Sequence, residues 1–428
     1  MHKPLQYIIS ITFILCVNQT ILAQSFGTFD PRSMAMGGTG VASGTSANAG
    51  YYNPALLSLA QEGYFSIEAP VFGLRYADPD DLETALDVYQ AAKYEDTLAT
   101  TIDTFNTSAN AGEYQTNAGP VATALTNLKN GINTLSSKEI IIDANLGLVI
   151  GIPNHTVGIG IMTNTRVMGG VVLNISDADN ALLDVYITEL NNVAGGGGQD
   201  TLLNIYSGGD LLDPNASLSS TFNARGAVIE ETGISLAKDF EIFGYPIVIG
   251  ITPKSVEVTT FDYAIDLETA DFDEDKGQKT YSDSNLDIGM ATYLGYGVRF
   301  GVVGKNLSKK TYETVLGNQI EIKPQIRAGL SHHTRWTTFA IDADVTQNDP
   351  LGFEEKTQYI GAGIEINVFD TLQLRAGVKH NRLATVTARD KNVTSFGFGF
   401  SPLGLHVDAA YAASELEKAF AIQLGFRF

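Results

Sequence analysis

The sequence predicts an all-β fold: a transmembrane antiparallel β-barrel of about fourteen strands with helical extracellular insertions. Three observations predict it. Apolar and polar residues alternate with period two through the C-terminal third, no stretch beyond the N-terminal leader is apolar enough for a spanning helix, and the connections between alternating runs are tight and long in turn. In lipid every backbone N–H and C=O must be satisfied within the protein, which only helices and closed barrels achieve. With no helix available, the closed barrel remains.

Residues 1–23 read as a signal peptide. His2 and Lys3 form a short basic start, Leu5 to Val17 is mostly apolar, and the small residue Ala23 marks the expected cleavage point. The outer membrane of a bacterial cell is therefore the expected location. Cys16, the single cysteine of the chain, lies inside this leader, so the processed protein would carry neither a disulfide nor a Cys-ligated metal.

Residues 24–62 are too polar and glycine-rich for a barrel strand. Gly37, Gly38 and Gly40 permit sharp bends, and Asn53-Pro54-Ala55 interrupts any regular pairing. A phosphate loop is a poor reading of these glycines, because no Lys follows them.

Residues 63–428 supply the wall. Counting back from the C-terminus, strands are expected at 418–428, 405–414, 392–401, 371–384, 357–368, 336–346, 322–333, 297–307, 284–294, 246–264, 222–240, 155–175, 139–152 and 63–76. An even count puts both ends of the wall on one side of the membrane. In the last strand Phe420, Ile422, Leu424, Phe426 and Phe428 alternate with Ala421, Gln423, Gly425 and Arg427, which sorts a lipid face from a lumen face. By the same alternation Arg299, Lys305, Arg327, Asp342, Asp344, Glu365, Arg375, Lys379, Asp408 and Arg427 face the lumen, where ion pairs would bind plug to wall or simply brace a polar bore. Phe428 is the expected assembly signal for the barrel-assembly machinery, and outer-membrane lipid the expected surroundings. Tyr245, Tyr293, Tyr296, Trp336 and Phe369, near the short turns, are expected in an interface girdle.

Two connections are expected to be helical. In 77–138 Leu82, Ala85, Leu86 and Tyr89 form one stripe and Val121, Leu125, Leu128, Ile132 and Leu135 another; 177–221 carries an apolar cluster from Leu182 to Leu190. The acidic loop Asp266 to Asp283 fails the EF-hand pattern, since Lys276 and Ser282 stand where Gly and Glu are needed, and it reads as a solvated loop with no metal. The chain has 27 Lys and Arg against 48 Asp and Glu, a net charge of -21, which argues against a nucleic-acid partner. His155, His332, His333, His380 and His406 fall in no catalytic motif, so neither an enzyme nor a cofactor is expected.

The segment MAMGGTGVAS at 34–43 followed by YYNPALL at 51–57 resembles the hatch of FadL-type outer-membrane transporters. FGVVGKNLS at 300–308, KPQIRAGLS at 323–331, FAIDADVTQ at 339–347, QYIGAGIEI at 358–366 and LQLRAGVKHN at 372–381 resemble TraF-type conjugal transfer proteins more closely still. The resemblance implies a barrel plugged by an N-terminal hatch, residues 24–62, with Asn53-Pro54-Ala55 as the matching element and Gly37, Gly38 and Gly40 letting it bend, that passes a hydrophobic ligand such as a long-chain fatty acid. The alternative is a surface-interaction or conjugal-transfer accessory barrel without transport activity. A water-filled porin is a third reading.

Overall fold

The computed structural model describes residues 30–59, 65–198, 218–242, 245–266, 274–349, 356–369, 371–383 and 392–428, with Gly27 and isolated positions between 202 and 214. The signal-peptide reading of residues 1–23 lies outside the described residues, as do Asp271 and Asp273 of the acidic loop. Three short helices come first: α1 (Pro31–Ala35), α2 (Ala49–Tyr52) and α3 (Leu56–Leu59). After β1 (Ser66–Ala77) come α4 (Leu82–Ala92), α5 (Tyr94–Asn106) and α6 (Ala111–Asn133), then β2 (Glu139–Ile152), β3 (Gly158–Asn174) and α7 (Asp177–Ala194). The two-residue strands β4 (Tyr206–Ser207) and β5 (Asp210–Leu211) lead to β6 (Thr221–Ile242), β7 (Tyr245–Asp266), β8 (Gln278–Gly295) and β9 (Val298–Lys305). A hairpin of β10 (Lys310–Glu313) and β11 (Gln319–Ile322) precedes β12 (Gln325–His333), β13 (Thr337–Asp344), β14 (Tyr359–Val368), β15 (Leu372–Asn381), β16 (Asn392–Phe400), β17 (Leu405–Ala413) and β18 (Glu417–Arg427).

Fourteen of these strands close into one antiparallel barrel, in the order β1-β18-β17-β16-β15-β14-β13-β12-β9-β8-β7-β6-β3-β2. The ends meet in register, with Ser66 opposite Arg427 and Leu74 opposite Phe420. Each expected strand is present, because the alternation that sorts the two faces is strict. A bulge between Glu68 and Val71 shifts β1 against both its neighbours. Among the described residues no helix is long and apolar enough to cross a membrane.

The wall is lopsided. β6 and β7 each run 22 residues, whereas β13 has 8 and β17 has 9. At about 3.3 Å per residue that is about 70 Å of strand facing about 30 Å. On the tall side the outer face changes character along its length: Ile234, Leu236, Ile249 and Ile251 are exposed apolar residues, while Glu230, Thr232 and Glu257 further up are exposed and polar. Such a band, apolar below and polar above, is the profile of a barrel seated in lipid with its taller wall projecting beyond it.

The turns beside the apolar band are short, and Tyr296 and Phe369 stand out at 100% and 79% exposure. Trp336 packs edge-on against Phe369 with ring centroids 6.3 Å apart. Tyr293 corrects the expected girdle. It points inward against Ala55, Leu56 and Leu57, and Arg299 lies over its ring at 5.0 Å. It continues the unbroken inward alternation of Asp287, Gly289 and Ala291, while Ile288, Met290 and Leu294 face outward. The side chain of Tyr245 is outside the described set.

At the opposite end α5, α6 and α7 bury a core of their own, centred on Phe105, Leu125, Leu128, Leu183 and Leu190. A second cluster, with Leu82, Leu135, Ile140, Leu173, Phe222 and Ile265, seats this head on the rim of the wall. Asn110 caps α6 by accepting from the Gly112 and Glu113 amides, and Ser176 caps α7 by accepting from Asp179. Asp179 then ties the start of α7 to the far end of its connection, accepting from the Ser219 amide at 2.8 Å and the Ser220 amide at 2.7 Å. Burial pushes the Asp179 carboxyl up, but donors from Ser220, Ser219 and Ser176 outweigh it and hold it below the ordinary value.

Candidate functional site

The site is the bore itself, where residues 30–59 cross between the two mouths and are buried almost throughout. Asp30 caps α1 through the Ser33 amide at 3.0 Å, and the chain then turns through Gly37 and Gly38, whose φ angles of 71° and 82° favour glycine. This turn lies flush on the wall because the wall there has no side chains. A Cβ added at Gly363 would stand 2.5 Å from the Met36 Cα, and one at Gly361 or Gly377 would strike the Gly37 backbone. Further round, a Cβ at Gly301 would stand 2.5 Å from the Val41 carbonyl and one at Gly158 2.7 Å from that of Leu57. The inward-facing glycines are the footprint of the hatch.

Charged groups fix it at a few points. Asp342 accepts from the amides of Gly40 at 2.8 Å and Val41 at 2.9 Å with one carboxylate oxygen. Arg32 on the hatch donates twice to Glu365 at 2.9 Å, while Arg375 reaches the same carboxylate at 2.7 Å. Arg327 donates to the Gly38 carbonyl at 3.1 Å and to Asp344 at 2.6 Å, and Lys305 donates to the Tyr51 carbonyl at 2.8 Å. Asn53 folds the hatch onto itself and onto the wall. Its amide donates to the Val41 and Met290 carbonyls, and its own oxygen accepts from Ala55, straddling Pro54.

The ten predicted lumen charges all line the bore, but they do different things. Lys305, Arg327, Asp342 and Glu365 touch the hatch. Asp344, Arg375, Lys379 and Asp408 brace the wall: Arg375 links Glu365 to Asp408, and Lys379 pairs with Glu417 at 3.4 Å. Arg299 and Arg427 form no ion pair among the described residues, whereas ion pairing is the sequence expectation for all ten. Phe428 is 72% exposed; its amide bonds to the Phe65 carbonyl at 2.9 Å and its ring stacks on Phe426.

Sequence reasoning missed the matching charges of the tall wall, Asp143 with Arg166, Arg225 with Asp262, and Lys254 between Glu231 and Asp287. It also missed Arg32 and the pairing of His406 with Glu68 at 2.6 Å. Carrying the period-two count into β2 to β8 finds the first group. Nothing local marks Arg32, because its partner is far away in the chain.

The hatch separates two cavities. Toward the head lies one of about 90 Å³, among Arg75, Arg166, Tyr359, Lys379 and Glu417. Toward the short turns lies a second of about 450 Å³. Near the head end, the β10–β11 hairpin folds inward and packs Tyr312, Ile320 and Ile322 on Met168, Ile229, Val256 and Val258 of the inner wall. Thr314 and Asn318 clamp it through Asp262 at 2.6 and 2.8 Å.

Residues 50–344 match the family described as the F plasmid transfer operon TraF protein. The chain belongs to that family. No curated protein matches it. In three dimensions it is similar to the toluene transporter TbuX of Ralstonia pickettii, at 11% identity and a TM-score of 0.51 over 94% of this chain and 98% of that one. It is also similar to a Pseudomonas aeruginosa FadL homologue, at 10% identity and a TM-score of 0.48 over 96% and 99%, and to the Pseudomonas putida toluene transporter TodX, at 11% and 0.46 over 96% and 99%. At this identity the TbuX match establishes a shared fold alone, a closed antiparallel β-barrel.

Proposed function

We propose that this TraF-family barrel passes hydrophobic small molecules inward across the bacterial outer membrane. The observation that carries the reading is a bore closed by a segment that lies flush on wall glycines, is tied to the wall by hydrogen bonds and ion pairs, and packs its apolar side chains on the wall in three separate small clusters. The polar contacts can exchange for water when the plug shifts, and the apolar ones are divided among patches instead of forming one continuous interface. The apolar lining around β10 and β11 supplies a first docking surface. The head-side cavity of about 90 Å³ is smaller than the roughly 150 Å³ that accepts benzene, so passage requires movement of the hatch or of the side chains above it. The similarity to TbuX, a toluene transporter, supports this class of cargo.

The signal peptide of residues 1–23, its cleavage near Ala23, and recognition of Phe428 by the assembly machinery belong to the same reading, as does the division into hatch and barrel. Transport rather than catalysis is the activity inferred, with no cofactor, metal or nucleic acid involved. Deleting residues 30–59 should leave an inserted, heat-modifiable barrel with altered uptake of a fluorescent hydrophobic probe; unchanged uptake rejects a gating hatch. The helical head, with its own core outside the apolar band, favours a second role as an accessory interaction surface in conjugal transfer. Removing 77–138 should then lower mating efficiency while leaving probe uptake intact.

A further inference from the structure

The cavity on the short-turn side of the hatch is chemically unlike the rest of the bore. Its acids are already engaged: Glu365 is bound by Arg32 and Arg375, and Asp408 by Arg375. Its remaining cations are not. Arg299, whose named neighbour is the Tyr293 ring at 5.0 Å, has a buried Nε with no hydrogen-bond partner, and Arg427 at the mouth forms no ion pair among the described residues. From the hatch side, the buried Ser43 hydroxyl lines the same space and also has no partner.

In a chain of net charge -21, carboxylates to pair with these arginines were freely available to the sequence, yet neither arginine is in an ion pair among the described residues. The chamber has a volume of about 450 Å³. We propose that this chamber binds an oxyanion, a carboxylate or phosphate group, between Arg299 of the wall and Ser43 of the hatch. Guanidinium suits both groups, since its planar array of donors matches their paired oxygens. The bound anion bridges plug to wall, so its presence holds the hatch shut from the periplasmic side.

The inference concerns binding alone and stands whether or not cargo passes. Titration calorimetry on the purified full-length barrel, with inorganic phosphate, acetate and laurate as separate probes, should give saturable binding of at least one. Dodecanol, which lacks the charge, should not compete. Phosphate or acetate binding identifies a free anion as the occupant, and laurate alone identifies a cargo headgroup; either supports the site. Arg299→Gln should weaken binding about tenfold or more, while Arg335→Gln, which removes an arginine stacked on Trp336, should leave it unchanged. Should Arg299→Gln lose heat-modifiable folding, Ser43→Ala provides the second variant, with weakened binding expected. Absence of saturable binding, or equal affinity in wild type and both cavity variants, overturns the proposal.

Discussion

Residues 30–59 fill the bore of the barrel while helices α4 to α7 sit on one rim, and different forces hold them. The hatch meets the wall through Asp342, Glu365, Arg327 and Lys305, with backbone laid against glycine and its apolar side chains split among three small clusters on the wall. The head coheres through one larger buried apolar cluster around Phe105, Leu125 and Leu183. The polar anchors of the hatch are specific in direction and exchangeable with water; the core of the head is non-directional and strong in aggregate. On the proposed function, a plug that yields and a cap that persists are built from one polypeptide.

The largest expected effect breaks the hatch alone. Glu365→Ala leaves Arg32 and Arg375 without their shared carboxylate, and losing one partner of a buried pair costs about 3–5 kcal/mol. Limited proteolysis should then cut within residues 30–59 while the head stays protected. Next, Leu125→Ala should remove about 3 kcal/mol from the head, seen as earlier loss of helical circular dichroism, with hatch protection unchanged. If either variant loosens both regions together, the contrast fails.

Asp342→Asn sharpens the comparison. It keeps the shape but weakens the acceptor for Gly40 and Val41 by about 2 kcal/mol, so those two amides should exchange faster with solvent deuterium than the amides of α6. The smallest effect lies in the head. The Asp179 carboxyl is depressed in the folded state, so its contribution is present above about pH 4 and is lost as the pH falls through the folded value. Asp179→Asn should flatten that acid-side loss by about 1 kcal/mol, read from head melting between pH 5 and pH 2.

How legible these regions were in the sequence follows from the range of their signals. Alternation in β14 or β18 is visible within ten residues, and so is the stripe Val121, Leu125, Leu128; both strands and helices could be placed directly. The faces also identified Asp342 and Glu365 as inward. What they touch could not be read, because Arg32 and Glu365 are partners across most of the chain and no local pattern connects them. The glycines of the inner face were visible as a compositional oddity, but their meaning as a track for Met36 and Gly37 needs the folded register. Tyr293 was assigned to the girdle by its nearness to a short turn, whereas its parity with Asp287 and Ala291 places it inward.

The central claim, that the hatch must move for cargo to pass, has a direct measurement. The processed chain as expected carries no cysteine, so Ala35→Cys on the hatch with Ala410→Cys on the facing wall, neighbours in one buried cluster, forms a clean reversible lock. Uptake of a hydrophobic probe should be abolished in the oxidised double variant and restored by reductant. Equal uptake by the oxidised and reduced forms, with the cross-link verified on a gel, would contradict the account.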